Sequence, residues 1–296
     1  MGTTTTTNHD LRVVRLRHWG RIPAIGVLIA AALGLAVSVA RNPNINWSVV
    51  GENLTSETIL HGVEVTLMLT VASMAIGIIL GIAAAMMKIS DNPILDGLAS
   101  LYIWVFRGTP VLVQLIFWFN LGLLFPRLGL DLPFLSLSVD TNTVITGFTA
   151  ALLGLGLNEG AYMAEIVRAG LLSVDSGQTE AAVAVGLTRW QALRGIVLPQ
   201  SIRVIIPPTG NEVITMLKQT SLVSVISGSD LLTSAQTIYS RNFNVIELLL
   251  VVSIWYLTFT SILSYGQWLL ERRLLRGTGG TTTRPRMLSI LLWRKR

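Results

Sequence analysis

Two acidic residues interrupt long apolar stretches of this sequence, and each directly follows an asparagine. These pairs are Asn158-Glu159 and Asn211-Glu212. If the stretches cross a bilayer, an ionised group within them is costly and usually faces a partner or a water-filled cavity. Either carboxylate could then hold an ammonium group or a cationic side chain along a path for a charged solute. The alternatives are an internal ion pair, for instance between Glu212 and Lys218, or a protonated acid in the core.

A basic residue, Arg107, also lies inside an apolar stretch, directly before Gly108 and close to Pro110. Because proline lacks the N–H that a helix needs, the sequence predicts a break in the helix here. One interpretation makes Arg107 a gate or a contact near the mouth of a path. The alternative is a structural guanidinium that reaches the interface or bonds to carbonyls freed by the break. Lys218 is likewise interpreted as a gate or a structural residue.

No catalytic chemistry is predicted for any residue of this chain. A phosphate-binding G-x-x-x-x-G-K-[ST] loop requires a lysine after a glycine, and none of the three lysines follows one. The absence of cysteine excludes disulfides, thiolate metal sites and cysteine nucleophiles. The three histidines are too scattered for a metal site or a triad. We therefore expect no metal and no cofactor on this chain, so any ATP hydrolysis must come from a partner.

The elements that position these residues are predicted from hydropathy. The chain of 296 residues is 51% hydrophobic and 13% charged, with a mean hydropathy of +0.62, whereas soluble domains are about 25% charged. This balance excludes a disordered chain, a coiled coil and a nucleic-acid-binding domain, despite the net charge of +6. A spanning helix needs about 20 apolar residues, and six stretches qualify: Ile22–Ala40, Glu64–Met87, Leu98–Phe125, Thr141–Val167, Val204–Ser227 and Val245–Leu270. The predicted fold class is all-α integral membrane, with about six transmembrane helices.

The distribution of lysine and arginine predicts the orientation of these spans. Basic residues concentrate on the cytoplasmic side of membrane proteins. With both termini placed inside, the only basic residues that fall outside are Arg41, Arg127 and Arg241. We therefore predict a multi-pass protein with both termini cytoplasmic. The first stretch lacks a convincing signal-peptide cleavage site, so we interpret it as a retained anchor.

Helix signals predict a hairpin in the segment at about 168–203, between the fourth and fifth stretches. Asp175 can cap a helix, and we expect Glu180 in its first turn, where the helix dipole favours an acid. Gly186 lies where a left-handed residue would end this helix. Thr188 and Gln191 form a capping box for a second helix. The alternative is an ordinary helical connection between spans.

The hairpin also carries a motif with a definite spacing: Glu180-Ala181-Ala182, Gly186 and Ile196-Val197-Leu198-Pro199. This motif resembles the EAA loop of the membrane subunits of ABC importers. Arg107-Gly108-Thr109-Pro110 is similar to a segment of the polar amino-acid permeases within that family. Further segments that are similar to the same branch are Ala161–Gly170, Pro207–Glu212 and Lys218–Ile226.

The resemblance covers about residues 58–276 and implies the five-helix core of a type I ABC importer. Residues 1–57 are then a basic tail, an extra transmembrane helix and an external linker, and residues 277–296 are a basic cytoplasmic tail. The implied function is a permease subunit of a prokaryotic plasma membrane that carries a polar or charged amino acid inward. The residues implied to couple it to an ATPase are Glu180, Ala181, Ala182, Gly186, Leu198 and Pro199.

Several partners follow from the same resemblance. A cytoplasmic ABC ATPase dimer would bind ATP and magnesium, and an extracytoplasmic solute-binding protein would deliver the amino acid. A second permease copy or a sister subunit and membrane lipid complete the set. The alternative function is an ion-gradient-driven secondary transporter, which needs no ATPase and usually shows repeated halves with broken helices. We see no such halves, and the sequence does not identify the amino acid.

Overall fold

The computed structural model describes residues 21–132, 135–226 and 228–275, so residues 1–20 of the predicted N-terminal basic tail and the predicted tail at 277–296 lie outside the described residues. Its elements in chain order are α1 (Arg21–Ala40), α2 (Trp47–Leu54), α3 (Glu57–Lys88), α4 (Pro93–Gly108), α5 (Val111–Phe119), α6 (Leu121–Leu124), β1 (Arg127–Leu132), β2 (Leu135–Asp140), α7 (Thr141–Val144), α8 (Gly147–Leu172), α9 (Ser176–Ala184), α10 (Arg189–Ala192), a π-helical turn (Leu193–Val197), α11 (Leu198–Gln219), a 3-10 helix (Thr220–Ile226), α12 (Leu231–Asn242) and α13 (Val245–Leu275).

The chain divides into two compact units between Asn46 and Trp47. The first unit contains α1, whose 20 residues are long and apolar enough to cross a membrane. The second unit contains all the other helices and strands described above. Within it, α2 lies against α13, and the indole Nε1 of Trp255 donates to the carbonyl of Leu54 at 3.0 Å.

In the second unit, α3 and α13 are each long and apolar enough to span a membrane, and the bent pair α4–α5 forms one further candidate span. With 26 and 22 residues, α8 and α11 are also long enough for a bilayer. The acidic and amide side chains of these two helices lower their hydropathy. The prediction of one continuous span from Thr141 was wrong at its start. Thr146 caps α8 instead, since its hydroxyl accepts from the Thr149 N–H at 3.2 Å.

The central helix pair is α3 and α8, and small residues let the two backbones approach closely. A Cβ placed on Gly77 of α3 would lie 2.5 Å from Cγ of Glu159. A Cβ on Gly81, one turn further along, would collide with Met163. Leu155 of α8 is fully buried in the adjoining core. This packing fixes the face of α8 that carries Glu159 against α3.

Two connecting segments lie at opposite ends of α3. At its start, Leu231 of α12 is buried with Ile59 of α3 and Leu248 of α13. At its end, Met86 faces Val183 of α9 across a cleft. The α9–α10 hairpin and α12 therefore lie at the two ends of the helix bundle, where Ile59 and Met86 are about 40 Å apart along α3 at 1.5 Å per residue.

The two prolines and alternating polar residues of Phe125–Asp140 predict an external loop, but this segment contains a two-stranded antiparallel hairpin. Arg127 pairs with Asp140 and Leu132 with Leu135. In both strands leucines alternate with polar residues or glycine, the period-two pattern that is typical of a strand. The all-α class therefore holds for the bundle, with this small β-hairpin added between α6 and α7.

Candidate translocation site and coupling hairpin

The α4–α5 pair is broken at Thr109-Pro110, as the sequence predicts. Thr109 is extended (φ −115°, ψ 143°), and Pro110 caps α5. The residue before a proline is driven out of the helical region by steric contact with the proline ring. The helix axes consequently meet at a bend of 99°.

The carbonyl of Phe106, which the break frees, accepts two amide donors. Nδ2 of Asn158 lies 2.7 Å from it and Nε2 of Gln114 lies 3.0 Å from it. Gln114 also donates to Oγ1 of Thr109 at 2.8 Å. The Nδ2 group of Asn158 is therefore bonded to the break, and its place on the solute path stays a prediction. Sequence reasoning missed Gln114, although an amide four residues after Pro110 in an otherwise apolar helix is a signal that could have indicated it.

Glu159 lies deep between α3 and α8. Its side chain is 3% exposed, and its Oε1 accepts no hydrogen bond from the described residues. The hydroxyl of Tyr102 is close by and donates to the carbonyl of Leu157 at 2.7 Å. The charged group with which Glu159 interacts electrostatically is Glu212 of α11. Two carboxylates from neighbouring helices thus share one region, which suits a positively charged occupant.

On α11, the predicted path and gate residues differ in exposure. Glu212 is half-buried, whereas Asn211 and Lys218 are exposed. The structure shows no ion pair between Glu212 and Lys218. Their separation of six positions places them about 120° apart around the axis of a helix with 3.6 residues per turn. The ion-pair alternative for Glu212 is therefore wrong in this conformation.

Arg107 contacts an aromatic ring. Its guanidinium carbon lies 5.0 Å from the ring centroid of Tyr162 on α8, within the range of a cation–π interaction. Its side chain is exposed, and the freed carbonyl of Phe106 is taken by the amides of Gln114 and Asn158. Arg107 therefore does not bond to the Phe106 carbonyl, and both its role as a gate and its role as a structural guanidinium stay predictions.

The α9–α10 hairpin is stabilised by caps formed by neighbouring residues. The Asp175 carboxylate accepts from the Gly177 N–H at 2.8 Å, Gly186 is left-handed with φ +90°, and Thr188 and Gln191 form the predicted capping box. These predictions are confirmed. The expectation of Glu180 in the first turn was wrong, because the helix begins at Ser176 and its first turn ends before Glu180.

The outer surface of the hairpin exposes large apolar side chains among polar and charged ones. Val185 is 78% exposed and Trp190 is 63% exposed, whereas Ala182 is 3% exposed and packs inward. Glu180 and Ala181 are exposed, as are Leu198 and Pro199 at the start of α11. The predicted coupling residues therefore lie on one protruding segment, with Ala182 supporting it from beneath.

A cleft of about 750 Å³ separates the hairpin from the ends of α3 and α8. Its walls include Met86, Leu171, Val183 and Val197, with Glu180 at its edge. Beside the cleft, Nη1 of Arg189 and Oδ2 of Asp91 form a highly exposed ion pair at 3.1 Å. Since exposed pairs contribute about 0–1 kcal/mol, the hairpin is held in place mainly by its buried side chains, Ala182, Ala192 and Val197.

Comparisons with known proteins agree with this architecture. Residues 77–276 match the family described as binding-protein-dependent transport system inner membrane component. The chain is 39% identical to the arginine transport system permease protein ArgU of Corynebacterium glutamicum, over 98% of this chain and 91% of that protein. It is 34% identical to the glutamine transport system permease protein GlnP of Escherichia coli, over 77% and 97% of the two chains.

A solved structure is similar as well. A crystal structure of an amino acid ABC transporter with histidines has a TM-score of 0.63 and 38% identity, covering 73% of this chain and 94% of that one. The family match includes α8, the hairpin and α11, so the resemblance drawn from the EAA motif is confirmed. The alternative of an ion-gradient-driven secondary transporter has no support. This chain belongs to the family of binding-protein-dependent transport system inner membrane components.

Proposed function

We propose that this chain is the membrane-spanning permease subunit of an ABC importer that carries a polar or charged amino acid inward. ATP and magnesium bind to a separate cytoplasmic ATPase dimer, and this chain performs no catalysis of its own. An extracytoplasmic solute-binding protein delivers the amino acid, and a second copy or a sister permease completes the path. Membership of the transport family and the amino-acid permeases among the relatives support this proposal.

The observation that carries the proposal is the protruding hairpin. Val185 and Trp190 are mostly exposed at the tip of a well-capped motif. A projection that presents two large apolar side chains suits a groove on a cytoplasmic ATPase. Its position at the end of the bundle opposite to α12 agrees with a cytoplasmic hairpin and an external α12.

The charge of the site indicates the class of solute. Glu159 and Glu212 are two acids within the bundle that have no basic partner in the described structure. A cationic side chain or an α-ammonium group would compensate them. The arginine permease ArgU is a relative that covers nearly the whole chain, which favours a cationic amino acid within the broader polar class.

The test is uptake into proteoliposomes that contain this permease, its ATPase and its solute-binding protein. Labelled arginine, glutamine and glutamate are offered outside, with ATP and magnesium sealed inside. The proposal predicts uptake that requires internal ATP and continues after ionophores collapse the ion gradients. Uptake that is independent of ATP, or that stops with the ionophores, would contradict it.

A further inference from the structure

One backbone carbonyl joins three elements of the bundle. The oxygen of Phe106, at the end of α4, accepts from Asn158 of α8 at 2.7 Å and from Gln114 of α5 at 3.0 Å. Asn158 is 5% exposed and Gln114 is 8% exposed, so water competes little for these bonds. The orientation of α5 relative to α4 therefore depends on two amide side chains from outside α4.

The residue after Phe106 is held by the same face of α8. Arg107 lies over the ring of Tyr162, with 5.0 Å between the guanidinium carbon and the ring centroid. Tyr162 follows Asn158 by four positions, which places both on one side of the helix. Two successive turns of α8 thus hold the break, one through the Phe106 carbonyl and one through the Arg107 cation.

The neighbour of Asn158 in sequence is Glu159, the buried acid whose Oε1 accepts no hydrogen bond from the described residues. The hydroxyl of Tyr102 on α4 donates to the carbonyl of Leu157 at 2.7 Å, just before Asn158. Residues 157–159 consequently contact the broken segment on one side and carry the acid of the candidate path on the other. Only a few covalent bonds therefore separate the Glu159 carboxyl from the contacts with the break.

We propose that Asn158 is a positioning residue. Its amide and that of Gln114 bind the Phe106 carbonyl together, and we call this pair of hydrogen bonds the amide latch. The latch sets the 99° bend and keeps Arg107 over Tyr162. This inference rests on the proposed function. A cation that binds at Glu159 shifts residues 157–159 and loosens the latch, so that α5 and Arg107 move. In this scheme Asn158 governs the rate of a conformational step and makes no contact with the solute.

The natural chain has no cysteine, so a single introduced thiol reports on the break. Gly108→Cys suits this purpose, because a Cβ at Gly108 meets nothing within 4 Å. In the reconstituted complex, Asn158→Leu removes the donor at similar size. We expect Asn158→Leu and Gln114→Leu each to change the rate of maleimide labelling at position 108 at least threefold relative to Gly108→Cys alone. The matched control is Asn120→Leu, at the end of α5, whose amide bonds only to the Ile116 carbonyl.

Transport kinetics provide the second readout, measured without the reporter. For Asn158→Leu, the latch predicts at least a fivefold fall in kcat with KM changed less than twofold. The double variant Asn158→Leu/Gln114→Leu should have a kcat no lower than that of the more affected single variant. This non-additivity is expected because both amides share one acceptor. A loss confined to KM would make Asn158 a solute contact and overturn the proposal, as would unchanged labelling.

The outcomes remain separable from those of the proposed function. If the wild-type complex shows no ATP-dependent uptake, the proposed function fails, while the labelling comparison still decides whether the amides set the break. If Asn158→Leu does not assemble, Gln114→Leu tests the same carbonyl from the other side. Labelling and kcat equal to wild type in Gln114→Leu would then refute the latch.

Discussion

The left-handed conformation of Gly186 in the α9–α10 hairpin predicts how much a substitution there destabilises the hairpin. Gly186 has φ +90°, and a Cβ placed there would meet nothing within 4 Å. A substitution to alanine therefore adds backbone strain without a steric clash. A non-glycine residue in the left-handed region costs roughly 1–2 kcal/mol. This cost lowers the ratio of native to open hairpin by a factor of about 5–30.

Gly195 of the π-helical turn is the matched control. Its added Cβ also meets nothing within 4 Å, and its φ is not positive. Amide hydrogen exchange of the purified complex should show faster exchange around Leu187 in Gly186→Ala, by about 5–30-fold, and no increase in Gly195→Ala. Gly186→Asn should lie between wild type and Gly186→Ala, because asparagine tolerates this region. Exchange in Gly186→Ala equal to that of wild type would refute the reasoning.

Two further predictions concern acidic residues. Glu159→Gln and Glu212→Gln should each reduce uptake of a cationic amino acid roughly 10–150-fold, since a hydrogen bond to a charged group contributes about 1.5–3 kcal/mol. Both variant complexes should still assemble, as checked by size-exclusion chromatography. Uptake at the wild-type rate would remove these residues from the path. At Asp230, in the connection before α12, burial raises the pKa of the carboxyl above its usual range. The folded state then binds the proton more tightly, so this group makes the protein more stable as the pH falls from the raised pKa towards the ordinary one. Asp230→Asn keeps an acceptor for the Leu232 N–H and should remove this component from the pH dependence of the thermal midpoint; an unchanged pH dependence would contradict it.

Features that depend on local chemistry are predictable from this sequence. Asp175, Gly186 and the Thr188–Gln191 pair act on residues a few positions away, so the hairpin follows directly from their order. Pro110 predicts the break in the same way, since its ring acts on its own neighbours. The β-hairpin after Phe125 was missed because prolines and polar residues in the segment suggested a loop, although its leucines alternate.

Features that depend on distant contacts are not predictable from this sequence. The partner of the Asn158 amide is a carbonyl 52 positions earlier, and nothing in the order of residues identifies it. Asn158 and Glu159 look equivalent as polar residues inside a span, yet one bonds to the break and the other faces α3. The 99° bend likewise involves contacts with distant residues, among them the amide of Asn158 and the packing of Leu115 against Gly154, and does not follow from Pro110 alone.

We propose that the hairpin couples ATP hydrolysis by a separate ATPase subunit to transport through this chain. Its most direct test is solute-stimulated ATP hydrolysis by the reconstituted complex carrying Glu180→Lys, with Glu57→Lys as the matched charge reversal at the opposite end of the bundle. We predict that Glu180→Lys reduces the stimulation at least tenfold and weakens retention of the ATPase, while Glu57→Lys behaves as wild type. Full stimulation and full retention in Glu180→Lys would contradict the account.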